Sequence, residues 1–351
     1  MGRAVVNGTG EALQVTEFKE LRGREAAFPA EEFAARQAAL RARMAEADLD
    51  VLAVTGPENV YWLTGRQTAG YFAFQALVVP RTGAPTLLVR QLELPGATAN
   101  TWLDRIVAYQ DGESPAEALA TILRGFGDAR VAVEADGWFV SPRLHEALGA
   151  AYGRPLLDGS GLVAPLRMIK SPAECAAIRR AATYARAGIA AGISACAEGA
   201  DENAVAAAML AAAVGAGSEA MAMEPLVSSG PRSGLPHMTW RRRVLEAGDP
   251  VFLELAGSHA RYHAALMRTA WIGEPPVAAR RMMDCAERAL DAALAAVRPG
   301  LPCSAPHAAA QAVIDAAGYT AAFRKRIGYS MGVAFAPDWG EGGILSLFDG
   351  V

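Results

Sequence analysis

Residues 248–257 read GDPVFLELAG, and they give the clearest indication of the fold of the second half of the chain. The glycine and aspartate at its start are typical of a turn, and the apolar run 251–256 is typical of a buried strand. Another apolar run, 262–272, predicts a further strand. Glu254 interrupts the first run, and a carboxylate among apolar neighbours needs a polar partner or a chemical role. The alternative is a side chain that alternates outward to solvent.

Helical patterns flank these strands. Residues 171–174 read SPAE, which predicts a helix start with a serine cap, a proline at the first helical position and an early carboxylate. This helix is expected to end near residue 196. Three more helices are expected over residues 201–214, 277–297 and 304–317. Helix pairs that alternate with antiparallel strands predict an α+β domain.

The first half of the chain has a different pattern, in which short apolar strands alternate with helices. This alternation predicts a small α/β domain. A domain boundary is expected near residues 163–171, where the composition changes. The expected elements are helices at 31–47 and 115–123, and strands at 51–55, 71–79, 86–89 and 131–134.

Bulk composition limits the classes of function. A chain of 351 residues with 52% hydrophobic residues is long enough for about two domains with buried cores. A net charge of −4 gives no reason to expect nucleic-acid binding. The four cysteines form no metal-like cluster, which indicates reduced thiols in a cytoplasmic protein. Neither a membrane-spanning segment nor a signal peptide is expected.

Three other segments carry residues with chemical potential. His237 lies in LPHMTW, residues 235–240, and histidine is well suited to transfer protons near neutral pH. A loop histidine is by itself weak evidence of catalysis. Arg268 interrupts the strand expected at 262–272 and needs a carboxylate partner if it is buried. The glycine-rich block 328–341 allows close backbone approach, or is an ordinary loop.

The order and spacing of these segments resemble the creatinase and prolidase ("pita-bread") family across nearly the whole chain. ENVYWLTG at 58–65 resembles the start of its amino-terminal domain, and MIKSPAE at 168–174 resembles its linker. The resemblance implies an α/β creatinase-type domain over residues 1–165, followed by an α+β pita-bread catalytic domain over 166–351. Because two later glutamate-bearing strands of the family are missing, a truncated carboxyl end is expected.

The resemblance also implies a metal-free branch of the family. Glu254 occupies the position of the first metal aspartate, but Ala265, Tyr329 and Ala336 replace the other ligands. One remaining oxygen ligand does not hold a dinuclear metal site. We therefore expect neither a metal nor another cofactor. The block 328–341 is more similar to the ectoine-hydrolysing branch than to creatinase.

The reaction implied by the resemblance is metal-independent hydrolysis of a C–N bond in a small amidine, with ectoine ring opening favoured. The catalytic candidates are His237, matching the creatinase histidine, and Glu254. A creatinase-like amidinohydrolase, an Xaa-Pro peptidase-like metallohydrolase and a non-catalytic dimerising relative remain alternatives. A homodimer is expected, with Tyr71, Phe72 and Phe74 either forming a lid over the partner's site or lying in a core strand. The substrate-binding candidates are Tyr329, Arg66, Arg326, Glu341 and Tyr71.

Overall fold

The computed structural model describes residues 5–6, 12–13, 22–323 and 325–341. The chain divides into two compact units, Met1–Ile169 and Lys170–Val351. The boundary expected after residue 165 falls within a 3-10 turn, Ala164–Arg167, that still belongs to the first unit.

The first unit is built on a mixed sheet whose described strands follow the order β6-β5-β4-β3-β7-β8. The central strand β3 runs antiparallel to β4 and parallel to β7, and its four residues are all buried. A strand covered on both faces is expected to be a continuous apolar run, as VLAV is. The elements are β1 (Val5–Val6), β2 (Ala12–Leu13), α1 (Ala30–Glu46), β3 (Val51–Val54), α2 (Pro57–Thr64), β4 (Ala76–Pro80), β5 (Thr86–Arg90), α3 (Leu94–Asn100), β6 (Ile106–Tyr109), α4 (Pro115–Arg124), β7 (Val131–Val133), α5 (Pro142–Tyr152) and β8 (Leu157–Asp158).

A buried carboxylate organises the turn between β3 and α2. Glu134, which directly follows β7, accepts hydrogen bonds from the backbone N–H groups of Thr55 at 3.0 Å and Gly56 at 2.8 Å, and from the side chain of Asn59. These donors lie at the amino end of α2, where backbone N–H groups lack partners within the helix. The ENVYWLTG segment therefore forms a helix that is buried along almost its whole length.

The strand expected over residues 71–79 begins later than predicted. Residues 69–72 form turns, and β4 starts at Ala76. The ring of Tyr71 packs edge-on against Phe139 at 5.6 Å, while the side chain of Phe72 is 74% exposed. The aromatic and β-branched content of the segment indicated a strand, but local turn formation and packing against a neighbouring loop prevailed.

The second unit packs two long helices against a three-stranded antiparallel sheet of order β11-β10-β9. The helix start predicted at residues 171–174 is confirmed, because Ser171 and Glu174 form a reciprocal capping box. The elements are α6 (Pro172–Ala195), α7 (Glu202–Gly215), β9 (Leu226–Ser229), β10 (Pro250–His259), β11 (Tyr262–Trp271), α8 (Val277–Ala296) and α9 (Ser304–Ala316).

Helix α6 lies very close to β10 at Gly257. A Cβ atom at this position would lie 2.8 Å from the backbone nitrogen of Ala185 and would also collide with the carbonyl oxygen of Ala181. Only glycine allows this approach, which sets the distance between helix and sheet. The phenol of Tyr262 on β11 further ties the sheet to the helix by donating to Glu174 at 2.6 Å. In the part of the chain that the structure describes, no helix is long and apolar enough to cross a bilayer.

Candidate active site

Glu254 lies in the middle of β10, on the face of the sheet that points away from α6 and α7. Its neighbours Leu253 and Leu255 are fully buried against those helices, so strand alternation turns Glu254 to the other face. Leu226 on β9 and Met267 on β11 are its cross-strand partners. The carboxylate is partly buried, and it forms no hydrogen bond or ion pair with another described residue.

Three charged side chains act electrostatically on this carboxylate. Burial raises the pKa of Glu254 above its ordinary value, the positive charges of Lys325 and His237 oppose the rise, and Asp338 adds to it. Coulomb interactions of this kind require proximity, because they weaken with distance and with solvent screening. His237, Lys325 and Asp338 therefore each lie within electrostatic reach of Glu254, and we refer to these four residues as the Glu254 cluster. Their catalytic roles stay a prediction.

His237 is held in an unusual backbone conformation. It follows the 3-10 helix Gly230–Gly234 and has a φ of 57°, in the left-handed region that non-glycine residues rarely adopt. Its side chain is exposed. Strained conformations of this kind persist where the surrounding structure enforces them, and they are common at functional sites.

Tyr329 contributes a phenol to the same cluster. Its hydroxyl accepts a hydrogen bond from Nε1 of Trp339 at 3.3 Å, and its ring lies beneath the guanidinium of Arg326 at 5.0 Å. Burial raises the pKa of Tyr329; the Trp339 hydrogen bond opposes this, and the charges of Asp338 and Glu254 add to it. The phenol therefore stays protonated at neutral pH and is able to donate a hydrogen bond.

Glu341 has partners that differ from those expected of a substrate ligand. Its buried carboxylate forms an ion pair with Lys170 at 2.6 Å and accepts a hydrogen bond from the Ser330 hydroxyl at 3.1 Å. Breaking a buried ion pair by removing one partner is strongly destabilising. This geometry favours a structural role for Glu341, and its role as a substrate ligand stays a prediction.

The two candidates from the first half of the chain belong to the first unit. Arg66 is buried and pairs with Glu93 at 2.7 Å; burial lowers the pKa of Arg66 and the Glu93 carboxylate opposes this. An arginine with a carboxylate partner is poorly placed to bind a second one. Tyr71 lies in a turn, as described above. Their roles as substrate ligands stay predictions, which the geometry favours for neither.

Two members of the cluster, Lys325 and Asp338, are not predicted by any sequence motif. Asp338 is part of the PDWGE motif at 337–341, which the sequence showed. Its electrostatic effect on Glu254 became apparent only in the folded structure. Lys325 carries no recognisable motif. Arg268, in contrast, is exposed and needs no buried partner.

Sequence profiles of two families match the chain side by side. The creatinase/prolidase N-terminal domain matches residues 36–169, and metallopeptidase family M24 matches residues 176–343. The chain belongs to family M24. This M24 protein has the creatinase-type amino-terminal domain followed by the pita-bread domain, as the resemblance implied, and the family makes it a hydrolase.

Its relatives include an ectoine hydrolase and probable dipeptidases. Ectoine hydrolase of Halomonas elongata is 29% identical over 337 residues, covering 90% of this chain and 84% of the relative. The probable dipeptidase PepE of Mycobacterium tuberculosis is 31% identical over 316 residues, covering 87% and 81%. The crystal structure of dipeptidase PepE from Mycobacterium ulcerans, 28% identical, matches 93% of this chain and 86% of its own with a TM-score of 0.76. The Xaa-Pro dipeptidase from Bacillus anthracis, at 21% identity, 88% and 85% coverage and a TM-score of 0.77, shows the shared fold.

The family name implies a metal, but the described residues do not fit one. Ala265, at a ligand position by resemblance, packs against a cluster of Ala222, Ala256, Ala334 and Trp339. Across residues 22–323 and 325–341, no three or more His, Cys, Asp or Glu side chains gather as a possible metal site. A dinuclear centre needs several such donors.

Proposed function

We propose that the chain is a metal-independent hydrolase of a C–N bond in a small amidine, with ectoine as the substrate and N-acetyl-diaminobutyrate as the product. The observation that carries the proposal is the Glu254 carboxylate, which has no ion-pair partner among the described residues and lies within the electrostatic reach of His237. A carboxylate and an imidazole are the minimum that metal-free hydrolysis of an amidine requires. The relationship to ectoine hydrolase supports the choice of substrate.

In the proposed reaction Glu254 accepts hydrogen bonds from the cationic amidinium and orients it. His237 takes a proton from water as its oxygen attacks the amidine carbon. The bond from that carbon to one ring nitrogen then breaks as His237 returns the proton to the nitrogen. The added hydroxyl becomes the amide carbonyl, and its proton ends on the departing amine.

Charge complementarity is consistent with a zwitterionic substrate. Glu254 suits the positive amidinium, whereas the exposed cations Lys325 and Arg326 suit a carboxylate. The protonated phenol of Tyr329 provides a neutral donor. Creatine, a guanidine with a carboxylate, carries the same charges and is the alternative amidine substrate.

A second candidate is a dipeptidase. It is favoured by the 31% identity to probable dipeptidase PepE and by the similarity to a PepE crystal structure. This activity differs in its substrate and in its need for metal, and both differences are measurable.

We further propose that the enzyme is a homodimer located in the cytoplasm. Two large aromatic side chains of the first unit, Phe72 and Trp138, are 74% and 83% exposed, which is consistent with an assembly surface. All four cysteines are free, as is usual in a reducing compartment.

The test is a substrate screen of the purified chain with ectoine, hydroxyectoine, creatine and Xaa-Pro dipeptides, with and without a chelator. We expect ectoine cleavage that survives chelation. His237→Ala should lower turnover by about 10²–10⁴, the usual contribution of general acid–base catalysis. Combining it with Glu254→Gln should cost less than the sum of the two losses, because both residues serve one step.

Three outcomes contradict the proposal. Dipeptide cleavage that needs stoichiometric metal would establish the dipeptidase instead. Wild-type turnover of ectoine by His237→Ala would show that another residue carries the proton. Cleavage of none of the amidines would reject the substrate class.

A further inference from the structure

The loop that carries His237 is held by hydrogen bonds at its two ends. We define the His237 loop as residues 230–241, between the end of β9 and the turn before β10. Its side chains are mostly exposed or partly buried, and His237 itself is exposed. Exposed loops are mobile unless hydrogen bonds or packing hold them. A general base has to stay within hydrogen-bond reach of the proton it abstracts, so the contacts that hold this loop bear on catalysis.

Glu202 supplies most of these contacts. It is the first residue of α7 and is completely buried. Its Oε1 accepts hydrogen bonds from the backbone N–H of Ser229 at 2.9 Å and the Ser229 hydroxyl at 2.7 Å, immediately before the loop. Its Oε2 accepts from the backbone N–H of Arg241 at 2.7 Å, at the end of the loop. One carboxylate therefore joins both ends.

Arg232 connects this anchor to the interior of the loop. Its Nη1 donates to both carboxylate oxygens of Glu202, at 3.0 and 2.7 Å, and its Nη2 donates to the carbonyl oxygen of Thr239 at 2.5 Å. Thr239 is two residues from His237. The guanidinium thus bridges the two sides of the turn in which His237 has its left-handed backbone conformation.

The electrostatics of the anchor are favourable. The negative charge of Glu202 lies in the first turn of α7, where the helix dipole stabilises an anion. The hydrogen bonds that its two oxygens accept from Ser229, Arg232 and Arg241 offset the cost of burying the charge. A second ion pair, between Arg243 and Asp249, lies next to the anchor, since Arg243 Nη1 also donates to the Ser229 hydroxyl at 3.1 Å.

From this geometry we infer that Glu202, acting through Arg232, is a positioning residue that holds His237 in its catalytic place. Among the described residues, no hydrogen bond or ion pair joins the side chains of Glu202 and Arg232 to the cluster around Glu254. The inference rests on the proposed role of His237, but the order of the loop is measurable without a substrate.

The experiment compares Glu202→Gln with a matched control, Glu174→Gln. Glu174 is also a buried carboxylate in the first turn of a long helix of the same unit, and it accepts hydrogen bonds from the backbone N–H of Ser171 and the phenol of Tyr262. The readouts are kcat and KM for ectoine, hydrogen exchange of residues 229–241, and the imidazole NMR signals of His237. The chain has five histidines, so the signals are readily assigned.

We expect Glu202→Gln to lower kcat by about 10²-fold, the effect of a small misplacement of a catalytic group, with little change in KM. Exchange in the loop should be faster and the His237 signals should move. Glu174→Gln should leave kcat and the His237 signals unchanged, although it lowers the melting temperature. Wild-type kcat, loop exchange and His237 signals in Glu202→Gln would overturn the inference.

Arg232→Lys is the second variant, in case Glu202→Gln does not fold. Lysine keeps the positive charge, but it lacks the planar guanidinium that donates to both Glu202 oxygens and to the Thr239 carbonyl at once. The same changes in kcat, exchange and signals are expected, and their absence would overturn the inference. If the wild-type chain cleaves no amidine, the proposed function fails, whereas the exchange and NMR results still decide whether Glu202 orders the loop.

Discussion

Glu254 is a residue whose folded surroundings favour its protonated form, because burial raises its pKa. The folded state then binds this proton more tightly than the unfolded state does. The stability that the group contributes is present below its unfolded pKa and is lost as the pH rises through the raised pKa. Above the raised pKa, the ionised carboxylate therefore lowers the free energy of unfolding, as is common for catalytic groups.

We predict that Glu254→Gln lowers turnover without lowering the melting temperature at pH 7, because the amide keeps the shape without the charge. The measurement is kcat together with thermal unfolding at pH 7 and pH 4. Any gain in melting temperature should shrink at pH 4, where the wild-type carboxyl takes up its proton. A clear drop in melting temperature at pH 7 would show that the charge has a structural partner.

His263 titrates in the opposite sense. It is completely buried; its Nδ1 lies 2.9 Å from the carbonyl oxygen of Arg261, and its Nε2 accepts from the backbone N–H of Ala222 at 3.0 Å. A carbonyl only accepts and an N–H only donates, so these partners require the neutral Nδ1–H tautomer. Burial lowers the pKa of His263 to about 4.

We predict a loss of stability between about pH 6.5, the ordinary value, and pH 4 that depends on His263. A depressed folded pKa means that the unfolded state binds more protons in this window, so stability falls as the pH falls. At roughly 1.4 kcal/mol per unit of pKa, the loss is a few kcal/mol. Denaturant unfolding of wild type and His263→Gln across this range is the measurement. Equal pH slopes for the two proteins would contradict the assignment.

At the scale of secondary-structure elements, the approach of α6 to β10 depends on Gly257. We predict that Gly257→Ala destabilises the second unit severely, because the added Cβ meets backbone atoms that cannot turn aside. The control is Gly215→Ala at the end of α7, where a Cβ has nothing within 4 Å. Thermal unfolding should show a large loss for the first variant and little change for the second. Similar melting temperatures would mean that helix and sheet separate easily.

At the scale of the whole molecule, assembly is the property to test. We predict a homodimer that is weakened by Phe72→Glu with Trp138→Glu, because charges at exposed aromatic positions oppose burial in an interface. Light scattering at micromolar concentration measures the mass. Val277→Glu, at an exposed apolar position of the second unit, is the control and should leave the mass unchanged. A wild-type monomer, or dissociation by the control variant alone, would refute this surface.

The amino-acid sequence was sufficient to predict the family and, in the second unit, the four long helices and the strands β10 and β11, but not β9. The SPAE signal placed the start of α6, because capping acts within one helical turn. The apolar runs on either side of residue 260 placed β10 and β11, because a short continuous apolar run next to a turn is typical of a buried strand. The order of the motifs carried the family resemblance. These signals are local or sequential, so they are readable without coordinates.

Which charged residues form ion pairs, and which remain available to a ligand, depends on the tertiary structure. Arg66 forms an ion pair with Glu93 and Glu341 forms one with Lys170, whereas Lys325 and Asp338 lie within electrostatic reach of Glu254. These relationships join residues far apart in the chain, and burial sets their strength. The local sequence does not distinguish a solvated arginine from an ion-paired one. The difference in free energy between them comes from partners that folding brings close.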